Sequence, residues 1–169
     1  MFLARSALVA ISVVAFTAIQ ARAEEKQKEP LAIVEIGAAS SWSVSGDSSF
    51  GPTVGVEFEP IKNWLEIEVS TGPMFGNDIR EWETDILFKK PFTLSDSMEF
   101  MVGAGPQWSN TIGGSTKVGV EFGLDFMFWP LPDRKLGWFL EPSYSYTFLG
   151  GHEHSPGINI GLLVPIYEK

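Results

Sequence analysis

Lys117-Val118-Gly119-Val120-Glu121-Phe122-Gly123-Leu124-Asp125-Phe126-Met127-Phe128 is the stretch whose reading decides the fold. Val118, Val120, Phe122, Leu124, Phe126 and Phe128 alternate with Lys117, Gly119, Glu121, Gly123 and Asp125. A period of two is that of a β-strand, whose successive side chains point to opposite faces. One face is therefore continuously apolar, while the other carries charge and glycine.

The same alternation recurs on both sides of this segment. Upstream, Ala32, Val34, Ile36, Ala38 and Trp42 oppose Ile33, Glu35, Gly37 and Ser41 within about 31–44. Val54, Val56 and Phe58 then oppose Glu57 and Glu59 within 53–59, and Leu65, Ile67, Val69 and Thr71 oppose Glu66, Glu68 and Ser70. Trp82, Thr84, Ile86 and Phe88 oppose Glu81, Glu83, Asp85 and Lys89, and Met98, Phe100, Val102, Ala104 and Trp108 oppose Glu99, Gly103, Gly105 and Gln107. Downstream, Trp138, Leu140, Tyr144, Tyr146 and Phe148 oppose Glu141, Ser143, Ser145 and Thr147, and Ile158, Ile160, Leu162, Val164 and Ile166 oppose Asn159 and Gly161. Glycine, proline and asparagine clusters punctuate the runs. Eight strands is an even number, and most come near the ~9–11 residues of a tilted membrane strand. The reading is an all-β chain whose residues 31–169 form an eight-stranded antiparallel, up-and-down transmembrane β-barrel.

The first 23 residues read differently. Arg5, an apolar run from Ala7 to Ile19 and the ending Ala21-Arg22-Ala23 have the form of a secretory signal. The run is shorter than the ~20 residues of a spanning helix, so cleavage after Ala23 is expected. Residues 24–30, Glu-Glu-Lys-Gln-Lys-Glu-Pro, form a charged tether. Removing Arg5 and Arg22 leaves 10 basic residues against 21 acidic ones, a net charge of −11. That balance disfavours nucleic acid as a partner. With no cysteine, neither disulfides nor thiolate metal sites are available. Gly103-x-Gly105 and Gly113-Gly114 precede no helix and are not phosphate loops. No cofactor is expected.

Alternation alone does not separate a membrane barrel from a soluble one, whose apolar face points inward. The tryptophans do. If the N-terminus starts on the periplasmic side, Trp42, Trp82 and Trp108 fall at the outer ends of strands and Trp64, Trp129 and Trp138 at the inner ends. This sorting predicts two membrane-interface girdles. Lys90 is the one charge found on the apolar faces, at a strand end where its stem can reach the headgroups.

Eight alternating strands with aromatic ends, an export signal and short turns resemble the small outer-membrane barrels related to the transmembrane domain of outer membrane protein A and to the virulence-associated adhesion barrels. The segments 119–130 and 139–146 also look like uncharacterised small barrel proteins of alphaproteobacteria. The resemblance covers Leu31 to Tyr167. It implies a fold and a place in the Gram-negative outer membrane, and no defined activity. The partners it implies are outer-membrane lipid, lipopolysaccharide and the barrel-insertion machinery, with the chain a monomer. Such barrels usually finish on an aromatic residue, whereas this chain ends Pro165-Ile166-Tyr167-Glu168-Lys169. Tyr167 can serve two residues early, and Pro165 predicts fraying of the closing strand.

One cluster could carry chemistry: His152-Glu153-His154-Ser155, expected in the last external loop. Lipid A deacylases are eight-stranded barrels with a His, Ser and Glu triad, but there one residue separates His from Ser and an Asn follows. The pattern here does not match, which leaves a solvated loop or a weak transition-metal site at His152, Glu153 and His154. No catalytic residue is assigned.

The other signal lies in the lumen. Twelve acids on the inward faces meet only Lys89 and Lys117. Carboxylates crowded into a narrow space need a proton or a cation. Glu66, Glu68, Glu99, Glu121 and Glu141 are the expected coupled set, with Glu35, Glu59 and Glu81 hydrated near the mouths. An eight-stranded interior is just wide enough for side chains, so no general pore is expected. The function that follows is a structural or surface-interaction role in the envelope, with an acidic lumen that binds cations. Its alternatives are a lipopolysaccharide-modifying enzyme and a narrow cation-preferring channel.

Overall fold

The computed structural model describes residues 30–76 and 80–168, so the export segment and the tether up to residue 29 lie outside the described residues. Within them the chain forms eight strands: β1 (Ala32–Trp42), β2 (Ser48–Ile61), β3 (Leu65–Gly76), β4 (Arg80–Ser95), β5 (Met98–Thr111), β6 (Thr116–Phe128), β7 (Gly137–Leu149) and β8 (Glu153–Ile166). Each pairs antiparallel with its sequence neighbour, and β1 pairs with β8 from Ala32↔Ile166 to Ser41↔Gly157, closing the barrel. Closure leaves no free sheet edge, which is what backbone groups in lipid require.

The alternation is a true partition into two faces. Ile36, Val54, Val69, Phe88, Val102, Phe122, Tyr144 and Ile160, one from each strand in order, are all exposed. They form a continuous apolar belt. Their neighbours Glu35, Gly55, Glu68, Leu87, Gly103, Glu121 and Gly123 are buried in the interior.

Several strands run further than hydropathy suggests. β2 begins at Ser48 rather than Thr53, and β8 at Glu153 rather than Ile158, because Trp42↔Ser48 and Thr147↔Glu153 continue the ladders. The serines in these stretches look like turn residues, yet the backbone bonds that hold them are indifferent to side chain. β4 passes through Pro91 to Ser95, and β3 passes through Gly72-Pro73 to Gly76. Pro73 sits across from Pro52, and the β2–β3 ladder is interrupted there between Phe50↔Phe75 and Val54↔Thr71. Two residues without N–H face each other, so few donors are lost.

Pro165 does not fray the closure. Leu31 N donates to the Ile166 carbonyl at 2.7 Å. Adjacent residues turn their backbone groups to opposite sides, so the Pro165 nitrogen points toward β7. The β7–β8 ladder has already ended there at Gly137↔Leu163. Proline removes no ladder bond at that place.

Candidate functional site

The interior is organised around one ammonium group. Lys89 of β4 is 1% exposed, and its Nζ lies 2.9 Å from Asp125 Oδ2 and 2.8 Å from Glu141 Oε2. It also pairs with Glu68, and Glu57 Oε1 stands at 3.8 Å. The carboxylates come from β2, β3, β6 and β7, so the group ties the far walls of the barrel together. Glycines make the room. Gly103 pairs with both Lys89 and Gly123, and a Cβ on Gly103 would stand 2.6 Å from Lys89 Cγ. A Cβ on Gly123 would stand 3.2 Å from Glu141 Oε2. Glu35 of β1, 3% exposed, completes the cluster, since one oxygen each of Glu35, Glu57 and Glu68 lie within 4.8 Å of one another.

Below the cluster, toward the end that carries both termini, Ile33, Met101, Met127, Trp129, Phe139 and Leu163 pack as an apolar plug. The β6–β7 connection, 129–136, folds beside it. Arg134 in this turn, at φ 46°, donates Nη1 to Glu99 at 2.6 Å and Nη2 to the Asp96 carbonyl at 2.8 Å. Its guanidinium carbon lies 5.6 Å from the Trp129 ring centre, a cation–π distance. Tyr167, whose phenol burial pushes up from its ordinary value, donates to the Arg134 carbonyl at 3.2 Å. A chamber of about 280 Å³ lies here, lined by Glu57, Glu59, Glu66, Glu99 and Arg134. At the opposite end a vestibule of about 310 Å³ is lined by serines, Glu81, Lys117 and Glu153. Lys117 Nζ is 2.9 Å from Glu81 and 3.7 Å from Glu153. Between vestibule and ion cluster a cavity of only about 50 Å³ is found, where Ser70 donates to Asp85 at 2.7 Å and Gln107 to Glu121 at 2.8 Å.

The expected acidic set is thus divided. Glu68 and Glu141 meet at Lys89, and Glu121 lies above them on Gln107. Glu66 lines the chamber at the termini end, and Glu99 is bound by Arg134. Glu35 is a correction: it is not hydrated at a mouth, because the plug of Ile33, Phe139 and Leu163 lies between it and the termini end. Glu81 is likewise held, by Ser109 at 2.7 Å, Thr111 at 3.0 Å and Lys117. Sequence reasoning passed over Glu57 and Asp125 because hydropathy carries no information about barrel stagger.

The tryptophans are also divided. Trp42, Trp64, Trp82 and Trp138 are exposed at strand ends, and Trp108 is half-buried near the end of β5. Trp138 stacks on Phe128 with centroids 4.0 Å apart. Trp129 is 3% exposed and belongs to the interior plug, not to a girdle. Counting by two from Asp125 through Met127 puts it inside. Lys90 reaches the Asn63 carbonyl in the β2–β3 turn, and the outward set also includes Arg80 at the start of β4.

Residues 153–155 are strand, not loop. The strand period then separates the cluster. His154 points outward, where Nδ1 meets the Tyr144 hydroxyl at 2.7 Å, while Glu153 points inward to Lys117. His152 meets the Tyr146 hydroxyl at 3.0 Å. His154 and Ser155 lie on opposite faces of the wall, so the cluster offers neither a His–Ser pair nor a three-ligand metal site.

The sequence matches no protein-family profile and no curated protein. Solved structures do resemble it. Neisserial surface protein A aligns at TM-score 0.62 with 16% identity, over 80% of this chain and 96% of that one. The N-terminal β-barrel domain of Pseudomonas aeruginosa OprF aligns at 0.56 with 16% identity, over 81% and 99%. Ail, the attachment invasion locus protein of Yersinia pestis, aligns at 0.51 with 15% identity, over 80% and 98%. At these identities the likeness is one of fold: that of the small eight-stranded transmembrane barrels.

Proposed function

We propose that this chain is a barrel of a Gram-negative outer membrane, exported by a cleaved signal, with a structural or surface-interaction role and a closed, cation-holding lumen. The observation that carries the reading is the combination of an apolar belt on all eight strands with a filled interior. Exposed Phe122, Leu124, Ile160 and their counterparts are stable only against lipid. Among the described residues the interior, blocked by Lys89 with its carboxylates and by the Met127–Phe139–Leu163 plug, offers no water-filled path for a general solute.

Outer-membrane lipid and lipopolysaccharide are the natural partners of such a belt. The rim bearing Tyr144, Tyr146, His152 and His154 supplies aromatic and hydrogen-bonding groups at headgroup height. In this reading the chain acts as a monomer. The acids at both mouths favour one second reading, a narrow cation-preferring channel, in which ions would have to displace Lys89 from its carboxylates. A lipopolysaccharide-modifying role has no support from residues 152–155, since His154 and Ser155 face opposite sides. Bilayer conductance and the lipid A mass profile of cells with and without the protein test all three. The proposal expects a flat trace and an unchanged profile; cation-selective steps or a deacylated lipid A would replace it.

A further inference from the structure

Asp125 and Glu141, at 2.9 and 2.8 Å from Lys89 Nζ, already exceed the single charge of the ammonium. Glu35, Glu57 and Glu68 stand beside them, Glu68 sharing the same ammonium. They are 3%, 1% and 1% exposed. Glu57 has no donor other than the facing Glu66 carboxyl, and Glu35 Oε1 has none. The nearest cation to Glu57 is Lys89, at 3.8 Å. Buried carboxylates left without donors are costly unless a charge meets them. Here one oxygen each of Glu35, Glu57 and Glu68 lie within 4.8 Å of one another, and of the three only Glu68 touches Lys89 closely.

Their chemistry specifies the missing charge. Three carboxylates with no imidazole or thiolate favour a hard cation. Three oxygens no more than 4.8 Å apart lie within about 2.8 Å of a common centre, so a small inward movement brings them to the ~2.3–2.6 Å of calcium–oxygen contacts. Glu57 lines the chamber at the termini end together with Glu59 and Glu66, whose charge would concentrate cations there.

We propose that Glu35, Glu57 and Glu68 form a lumenal binding site for one hard divalent cation of calcium's size. The ion offsets the carboxylate charge that Lys89 leaves over and fastens β1 and β2 to β3, as Lys89 fastens β4 to β3, β6 and β7. The proposal rests on the closed-lumen reading and gives it a definite ligand set.

The test uses the full mature chain refolded into zwitterionic vesicles free of lipopolysaccharide, so that lipid phosphates do not bind the probe. Calcium is titrated by calorimetry, and the urea midpoint is followed with and without it. The expected result is one calcium per barrel and a midpoint that rises with calcium. Glu35→Gln and Glu57→Gln should each weaken binding by about tenfold or more, while Asp133→Asn on the exposed β6–β7 turn leaves it unchanged. Because Gln keeps the shape of Glu and removes charge from a crowded site, both variants should retain the heat-modified gel migration of the folded barrel. A folded wild-type barrel that takes up no calcium, or one whose uptake survives both inner substitutions, overturns the site while leaving the closed barrel standing. Ohmic conductance of the wild-type protein without calcium would instead overturn the closed lumen, and the site with it.

Discussion

Replacing Lys89 by Met keeps a long unbranched stem in the trench beside Gly103 and removes only the charge. In the wild type the ammonium lies within 2.9 Å of Asp125 and 2.8 Å of Glu141 and also touches Glu68, at 1% exposure. Removing one partner of a buried pair typically costs about 3–5 kcal/mol, because the remaining charge is left uncompensated. Several carboxylates share this partner, so Lys89→Met should fall at the upper end of that range. The measurement is urea unfolding in vesicles followed by tryptophan fluorescence, with Lys135→Ala as a control. Lys135 pairs with Asp133 at 2.8 Å on the open surface, and its loss should not register. The cluster also predicts non-additivity. The triple variant Lys89→Met/Asp125→Asn/Glu141→Gln should be more stable than Lys89→Met alone. A single Lys89→Met variant within about 1 kcal/mol of wild type, where the principle predicts several, would refute the view that this ammonium holds the walls together.

Other substitutions probe the two faces. Leu124→Arg puts a charge on the belt near mid-bilayer and should cost about 2–4 kcal/mol, read from the unfolding midpoint and the yield of heat-modified barrel. Gly103→Val drives a side chain into Lys89 and should cost roughly 1–3 kcal/mol by overpacking in the same assay. Trp129→Ala empties the interior plug and should lose about 3–5 kcal/mol. Trp138→Ala, which removes an exposed ring, should lose markedly less, and equal losses for the two would return Trp129 to the girdle.

Strand number, topology and facing could all be read from the sequence, because one buried-or-lipid decision at every second residue is what period two encodes. The failures have specific physical sources. Phe126-Met127-Phe128-Trp129 and Trp138-Phe139-Leu140 are apolar at every position, so hydropathy does not show that Met127, Trp129 and Phe139 belong to the plug. Strand ends were misjudged wherever small polar residues, such as Ser48-Ser49 and Ser155, continue a ladder made only by backbone. Which of the twelve inward acids meet was not legible, since it depends on the relative stagger of β1, β2, β3, β6 and β7. The pairs that fix this stagger, such as Glu35↔Gly55 and Glu35↔Leu163, are long-range. The one local hint was glycine: Gly103 and Gly123 are inward, adjacent and empty, which leaves space for Lys89.

Spin-label accessibility along β6 measures directly which face of the wall meets lipid. The chain has no cysteine, so a single Cys placed in turn at each position from Val118 to Phe128 supplies the only labelling site. In vesicles, labels at Val120, Phe122, Leu124 and Phe126 should be relaxed strongly by membrane-dissolved oxygen and weakly by a water-soluble nickel complex. Labels at Gly119, Glu121, Gly123 and Asp125 should show low access to oxygen, giving a profile of period two. A profile without that period, or one in which the nickel complex reaches Phe122 and Leu124 best, would contradict a lipid-facing belt around a filled, charged lumen.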